Sequence, residues 1–301
     1  MSETIAIIAQ GEMGSAVGGR LRQNGARVLT SLQGRSAASR QRAEQHGIIA
    51  VGDDDELVAQ ADFFLSIVPP GDAPALAERL RAPLTRSARK PIYIDFNAIA
   101  PTTALRVGGV LAETGCRYLD GGIIGGPPKG NAPGPKFYIS GEGAEEAKRF
   151  STLGLRVEVL AAPIGAASAL KMSYAGFTKG ITGLAAAMIR GAQRAGAGDA
   201  LRRELQDSQA DLGVWLERYL PGMPRKAYRW VAEMEEISAF LRDDAPARAI
   251  YSHMARLYDA LAADAAAAKP DGEVAQLTQF MNDLAADLAR SGADKATRKR
   301  A

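Results

Sequence analysis

Near its start the chain has a β-rich run, Thr4-Ile-Ala-Ile-Ile8. It stops at Ala9-Gln10-Gly11-Glu12-Met13-Gly14, and helix-forming sequence follows at once. A strand that feeds a helix through so short a glycine-rich turn is the opening unit of a parallel, doubly wound sheet. The hexapeptide is a G-x-G-x-x-G pattern with Ala9 in the first glycine's place. Gly11 lets the backbone approach a pyrophosphate, Gly14 lets helix and strand pack closely, and the helix start offers N–H groups to phosphates. Ala9, Gln10, Gly11, Glu12, Met13 and Gly14 are therefore the predicted dinucleotide contacts. An ordinary glycine-rich strand–helix turn is the plainer alternative.

The alternation continues downstream. Helices are predicted over 16–24 and 37–46, and strands over 26–31, 63–68, 92–95 and 117–120. The run over 63–68 is apolar on both faces, as a central parallel strand is, and ends at Pro69-Pro70. Near residue 162 the pattern becomes helical and alanine-rich. The spacing predicts a helix over 165–195, packed on all sides between two domains, then helices over 199–220, 227–242, 247–268 and 272–290. The fold class is an α/β Rossmann-type doubly wound sheet followed by an all-α C-terminal domain. The domains are a nucleotide-binding 1–162 and a helical substrate and dimerisation domain, 163–301.

Composition excludes several functions. In 301 residues, 37 basic side chains nearly balance 34 acidic ones, leaving a net charge of +3, with no basic face for nucleic acid. The one local excess, Lys295 to Ala301, reads as a solvated tail. Cys116 is the only cysteine, so no intrachain disulfide or multi-cysteine metal site can form, and His46 and His253 are far apart. No metal is expected. Asp53-Asp-Asp-Glu56 reads as a helix start rather than a metal cluster. No signal peptide or membrane span is evident, so the chain is expected to be soluble and cytoplasmic, with no membrane partner.

Cofactor choice is encoded after the second strand. No acidic residue lies between Ala26 and Gln41, and the loop instead carries Arg35 and Ser36. A guanidinium and a hydroxyl suit a 2′-phosphate, which favours NADP over NAD; a solvated basic loop is the alternative. Lys171 lies in an otherwise apolar helical stretch, with Ser168, Tyr174 and Thr178 at helical spacing. Desolvation lowers an ammonium's pKa and makes Lys171 a usable general acid or base, with Tyr174 orienting a substrate; a snorkelling surface lysine is the alternative. Lys179 is the rival cation. Gly125 and Gly126 offer backbone N–H groups to a substrate anion, or simply form a tight turn before Pro127-Pro128.

These motifs together resemble the 3-hydroxyisobutyrate and 6-phosphogluconate dehydrogenase superfamily (the β-hydroxyacid dehydrogenases), which also includes imine reductases. The resemblance covers most of the first 190 residues. Gln10-Gly-Glu-Met-Gly14 is similar to its nucleotide turn and Asp120-Gly-Gly-Ile-Ile-Gly125-Gly126-Pro127 to its substrate loop. Gly165-Ala-Ala-Ser-Ala-Leu-Lys171 is similar to its catalytic helix. By the same resemblance Val68, Pro69 and Pro70 lie along the cofactor, and Asn97 belongs to the nicotinamide-side loop. The C-terminal part, including Tyr228-Arg-Trp-Val-Ala-Glu-Met-Glu-Glu236, resembles a bacterial branch. Two positions depart from the pattern. Ile124 replaces a serine, and Tyr174 and Ala175 fall where an asparagine is usual, which implies a bulkier or less polar substrate.

The expected function is NADP-dependent oxidoreduction of a carbonyl or 3-hydroxy acid, with Lys171 as general acid/base. The alternatives are an imine reductase on the same scaffold and a non-catalytic NADP-binding protein. Apolar C-terminal helices imply a homodimer.

Overall fold

The computed structural model describes residues 3–298, with side chains as far as residue 290. The side chains of the predicted basic tail thus lie outside the described residues. The chain divides into two compact units, 1–173 and 174–301.

In the first unit eight strands form one sheet. They are β1 (Thr4–Ile8), β2 (Arg27–Ser31), β3 (Ile49–Val51), β4 (Phe63–Ser66), β5 (Ile92–Asp95), β6 (Tyr118–Ile124), β7 (Lys136–Ser140) and β8 (Arg156–Val159). Their order is β3-β2-β1-β4-β5-β6-β7-β8. Helices α1 (Glu12–Gln23), α2 (Ala37–Gln45), α3 (Asp54–Gln60), α4 (Ala73–Arg86) and α5 (Pro101–Ala112) link the first six strands, which run parallel. Successive side chains of a strand point to opposite faces. Ile5, Ile7, Phe63, Leu65 and Ile94 accordingly enter one core, and Ala6, Ile8, Phe64 and Tyr93 the other. The strand order reverses between β1 and β4. Beyond the carboxyl ends of strands at such a switch point, doubly wound sheets bind their ligands.

The sheet is longer than expected. β6 runs on to Ile124, through its two glycines, and β7 pairs antiparallel to it with Asp120 opposite Ser140. β3, β7 and β8 were not anticipated: β3 is three residues long, and β8 is only half-buried. Helix α1 begins at Glu12, a turn before the predicted 16, because the glycine turn leads into it directly. Asp53 caps α3, its carboxylate accepting from Glu56 N at 2.8 Å, as a helix start requires.

Helix α6 (Ala166–Arg194) carries the division between the units within it, whereas the change in composition falls at 162. In the second unit follow α7 (Gly198–Ser208), α8 (Ala210–Tyr219), α9 (Ala227–Phe240), α10 (Ala245–Ala267) and α11 (Glu273–Arg298). The single helix expected over 199–220 is broken at Gln209, which leaves helical geometry at φ −136° and ψ 42°. Separate anchors on α11 hold the two pieces: Arg202 of α7 pairs with Asp287, and Gly213 of α8 abuts Leu288. On α6, Gly176, Gly180 and Gly183 seat Tyr251, Met254 and Tyr258 of α10. The expectation that α6 is packed on all sides is not met. Tyr174, Phe177, Ile181, Leu184 and Met188 form a stripe 40–72% exposed. Among the described residues no helix is long and apolar enough to cross a membrane.

Candidate active site

The predicted nucleotide turn lies at the carboxyl end of β1. Ala9 N donates to Ile67 O at 3.0 Å and Ile67 N to Ile8 O at 2.6 Å, so the turn is fastened to the end of β4 across the switch point. A Cβ on Gly14 would strike the Ala9 carbonyl oxygen. That close approach is the reason for glycine here, and it lets α1 start directly against the turn. At Gly11 a Cβ would meet no protein atom within 4 Å, so the backbone is open to an incoming group. No side chain caps the first turn of α1, whose amides carry the positive end of the helix dipole. Gln10 is buried: its Nε2 donates to Ile7 O at 3.0 Å, and Arg42 Nε grips its carbonyl at 2.9 Å. Beside the turn, Gln10 Oε1 and Ser31 Oγ at the end of β2 are buried with no hydrogen-bond partner among the described residues. Orphaned polar atoms of this kind are rare unless a ligand or water meets them.

Arg35 and Ser36 follow β2. Arg35 is half-buried and has no ion-pair partner among the described residues. Ser36 caps α2, accepting from Ser39 N at 3.3 Å, so part of its hydrogen-bonding capacity serves the helix. Val68, Pro69 and Pro70 leave β4 at the same sheet edge. Asn97, beyond β5, braces them: its Oδ1 accepts from Val68 N at 2.6 Å and its Nδ2 donates to Ser66 Oγ at 2.7 Å. Asn97 is therefore a clamp between two strand ends, with both ends of its amide engaged by protein.

Lys171 sits in the second turn of α6, half-buried, and its Nζ donates to the Ile123 carbonyl of β6 at 2.8 Å. Burial lowers its pKa to about 8. No carboxylate pairs with it among the described residues. A Cβ on Gly122 would lie 3.0 Å from Ala167 O and 3.1 Å from Lys171 Cβ, so this glycine lets helix and strand meet at the lysine. Two residues before Gly122 on β6, the fully buried Asp120 holds the start of α6. Its Oδ2 accepts from Gly165 N at 2.9 Å and Ser168 N at 3.0 Å, and its Oδ1 from Ser168 Oγ at 2.5 Å. Ser140 Oγ donates to the same carboxylate at 3.2 Å and accepts from Ala167 N at 3.1 Å. Burial raises the Asp120 pKa, opposed by these donors.

Gly125 needs its glycine for conformation, at φ +126° against Pro135, while Gly126 is open. The loop they begin is tied down by Arg20 of α1, which donates to Gly130 O at 2.8 Å and Ala132 O at 3.2 Å, and by Arg156, which donates to Gly134 O at 3.2 Å. Tyr174 follows Lys171 by three residues on α6 and belongs to the second unit, 44% exposed. The rival Lys179 is also in the second unit. It pairs with Glu233 and lies 5.3 Å from the Trp230 ring centroid, so its charge is already committed.

Asp120, Arg42 and Arg20 escaped the sequence reading. Only Asp120 left a signal: an acid inside an otherwise apolar strand, directly before two glycines. Among the described residues no group of three or more His, Cys, Asp and Glu is placed to hold a metal ion. The glycine cradle, the uncapped helix start and the two orphaned polar atoms do fit a dinucleotide.

Comparison with known proteins agrees. Residues 4–153 match the NAD binding domain of 6-phosphogluconate dehydrogenase, and residues 192–261 match DUF1932, a domain of unknown function. A 28.5 kDa protein of Methanothermus fervidus is 27% identical over 182 residues, 60% of this chain and 68% of its own. A conserved protein described as structurally similar to 3-hydroxyacid dehydrogenases superposes with a TM-score of 0.66 at 27% identity, over 86% of this chain and 96% of its own. 3-Hydroxyisobutyrate dehydrogenase of Mycobacterium tuberculosis shares the fold at 19% identity, with a TM-score of 0.67 over 94% and 99% of the two chains.

The collision at Gly14 makes a direct test. Gly14→Ala is expected to weaken binding of reduced nicotinamide dinucleotide by about tenfold or more, because the first turn of α1 must shift. Calorimetric titration measures this, and an unchanged affinity would show that the turn is structural only.

Proposed function

We propose that this chain, whose residues 4–153 match the NAD binding domain of 6-phosphogluconate dehydrogenase and whose residues 192–261 match DUF1932, is an NADP-dependent oxidoreductase acting on a carbonyl or 3-hydroxy acid, with Lys171 as general acid/base. The observation that carries this reading is the half-buried Lys171 amine, held by Ile123 O and poised near neutrality. A bound nicotinamide supplies the hydride in reduction and accepts it in oxidation. In reduction Lys171 Nζ gives a proton to the substrate oxygen; in oxidation it removes one from the hydroxyl. Donation to a backbone carbonyl aims the amine without a carboxylate to hold it permanently charged.

The pH dependence follows from the lowered pKa. Reduction needs the protonated amine and is expected to fall as pH rises through about 8, while oxidation rises over the same range. For stability the sign is the usual one for a depressed lysine. The contribution is present above the ordinary lysine range and lost as pH falls through about 8, so the charged amine opposes folding at neutral pH. Lys171→Met should therefore lower kcat by about a hundredfold or more without lowering Tm. If Lys171→Met keeps full turnover of ketones, semialdehydes and 3-hydroxy acids, Lys171 is not the acid/base. Turnover confined to cyclic imines would favour the imine reductase, since an iminium accepts hydride without prior protonation.

Arg35, with no acidic partner at the end of β2, supports NADP over NAD. Arg35→Ala is expected to weaken NADPH binding about tenfold while leaving NADH nearly unaffected. Equal losses for both nucleotides would refute the preference.

The exposed stripe on α6 supports a homodimer. Its 3-4-3-4 spacing is that of a helix seam, with Ile181 at its middle. An antiparallel second copy crossing at Ile181 brings Tyr174 near Met188 and Phe177 near Leu184 of the other copy, and the small flanking Ala185 and Ala187 admit a close approach. Light scattering after size exclusion should give twice the 31.7 kDa chain mass. Phe177→Asp with Leu184→Asp should give the monomer; a monomeric unaltered protein would rule the interface out.

A further inference from the structure

The start of an ordinary helix is capped by a side chain next to it in sequence. Gly165, just ahead of α6, has no side chain to offer. The cap comes instead from Asp120, 45 residues earlier on β6. Three residues beyond Asp120 the same strand presents the Ile123 carbonyl, and three residues beyond Ser168 the helix presents Lys171 to it. Strand and helix are thus pinned at both ends of one short stretch, with Gly122 between the pins to keep them in contact. The inner pin holds the amine. The outer one gathers two backbone N–H groups and the Ser168 hydroxyl on a single buried carboxylate, with Ser140 closing the network from β7.

We propose that Asp120 is a positioning residue for Lys171, its carboxylate fixing the register of α6 on β6 and so the place of the Lys171 amine. The inference rests on the proposed acid/base role of Lys171 only for its effect on turnover; the effect on the amine itself is independent of that role. Asparagine in place of Asp120 keeps the size but loses an acceptor and sets an amide N–H₂ against donors, so buried N–H or O–H groups lose their partner. The first turn of α6 then loosens, water reaches the amine, and the desolvation that lowers its pKa is relieved.

The test uses the full chain. Its lysines are reductively methylated with 13C-formaldehyde, and the Lys171 signal is assigned by its loss in Lys171→Met. In Asp120→Asn the Lys171 amine should titrate at higher pH than in the unaltered protein. kcat should fall by about tenfold to a hundredfold with the Kd for NADPH unchanged. Ser168→Ala, which removes one donor and leaves the Oδ2 contacts, should move both quantities the same way by less, and it decides the question if Asp120→Asn fails to fold. A folded Asp120→Asn, or a Ser168→Ala, whose Lys171 titration and kcat match the unaltered protein would overturn the proposal. If Lys171→Met keeps its turnover while Asp120→Asn still shifts the amine, the acid/base reading fails and the positioning stands.

Discussion

The hold of the sheet on α6 is the interaction on which the candidate chemistry depends, and it is made by one ionisable group inside the protein. A carboxylate with no exposed surface is unfavourable unless its oxygens are met by donors. Asp120 meets four, all from the start of α6 or from Ser140 opposite it in the sheet. Burial still raises its pKa, so its ionised form weighs against folding at neutral pH, and the donors offset that only in part. Lys171 is in the mirror situation, a cation whose charge burial disfavours. Two groups of opposite sign are thus kept where packing alone would put neither. Such local conflict with stability is expected at functional sites rather than in cores.

The opening strand, turn and helix were legible because each residue there answers to one dominant demand. Gly14 answers to the Ala9 carbonyl, the alternating apolar residues to two cores, and the acidic start of α3 to its cap. Lys171 was legible for the opposite reason, as a charge in an apolar helix. The antiparallel β7 was hidden behind the proline- and glycine-rich stretch before it, although its buried and half-buried positions alternate. The break at Gln209 has no glycine or proline to announce it; packing on α11 decides it. The apolar face of α6 was visible in composition, but composition does not say which face has a neighbour within the chain. Asn97, expected in the nicotinamide-side loop, also holds two strand ends together, a contact that only geometry can reveal.

The segment between β6 and β7 has a consequence of its own. Chains of this length without regular structure normally sample many conformations, and a ligand that binds one must first freeze it. Here the guanidinium groups of Arg20 and Arg156 hold the Gly130, Ala132 and Gly134 carbonyls, so part of that ordering is built into the fold. On the proposed reading, a substrate anion at Gly125 and Gly126 would meet a loop already fastened at these carbonyls and would spend less of its affinity on ordering it. Selectivity there would then lean on the shape of the fastened loop and the direction of its backbone dipoles.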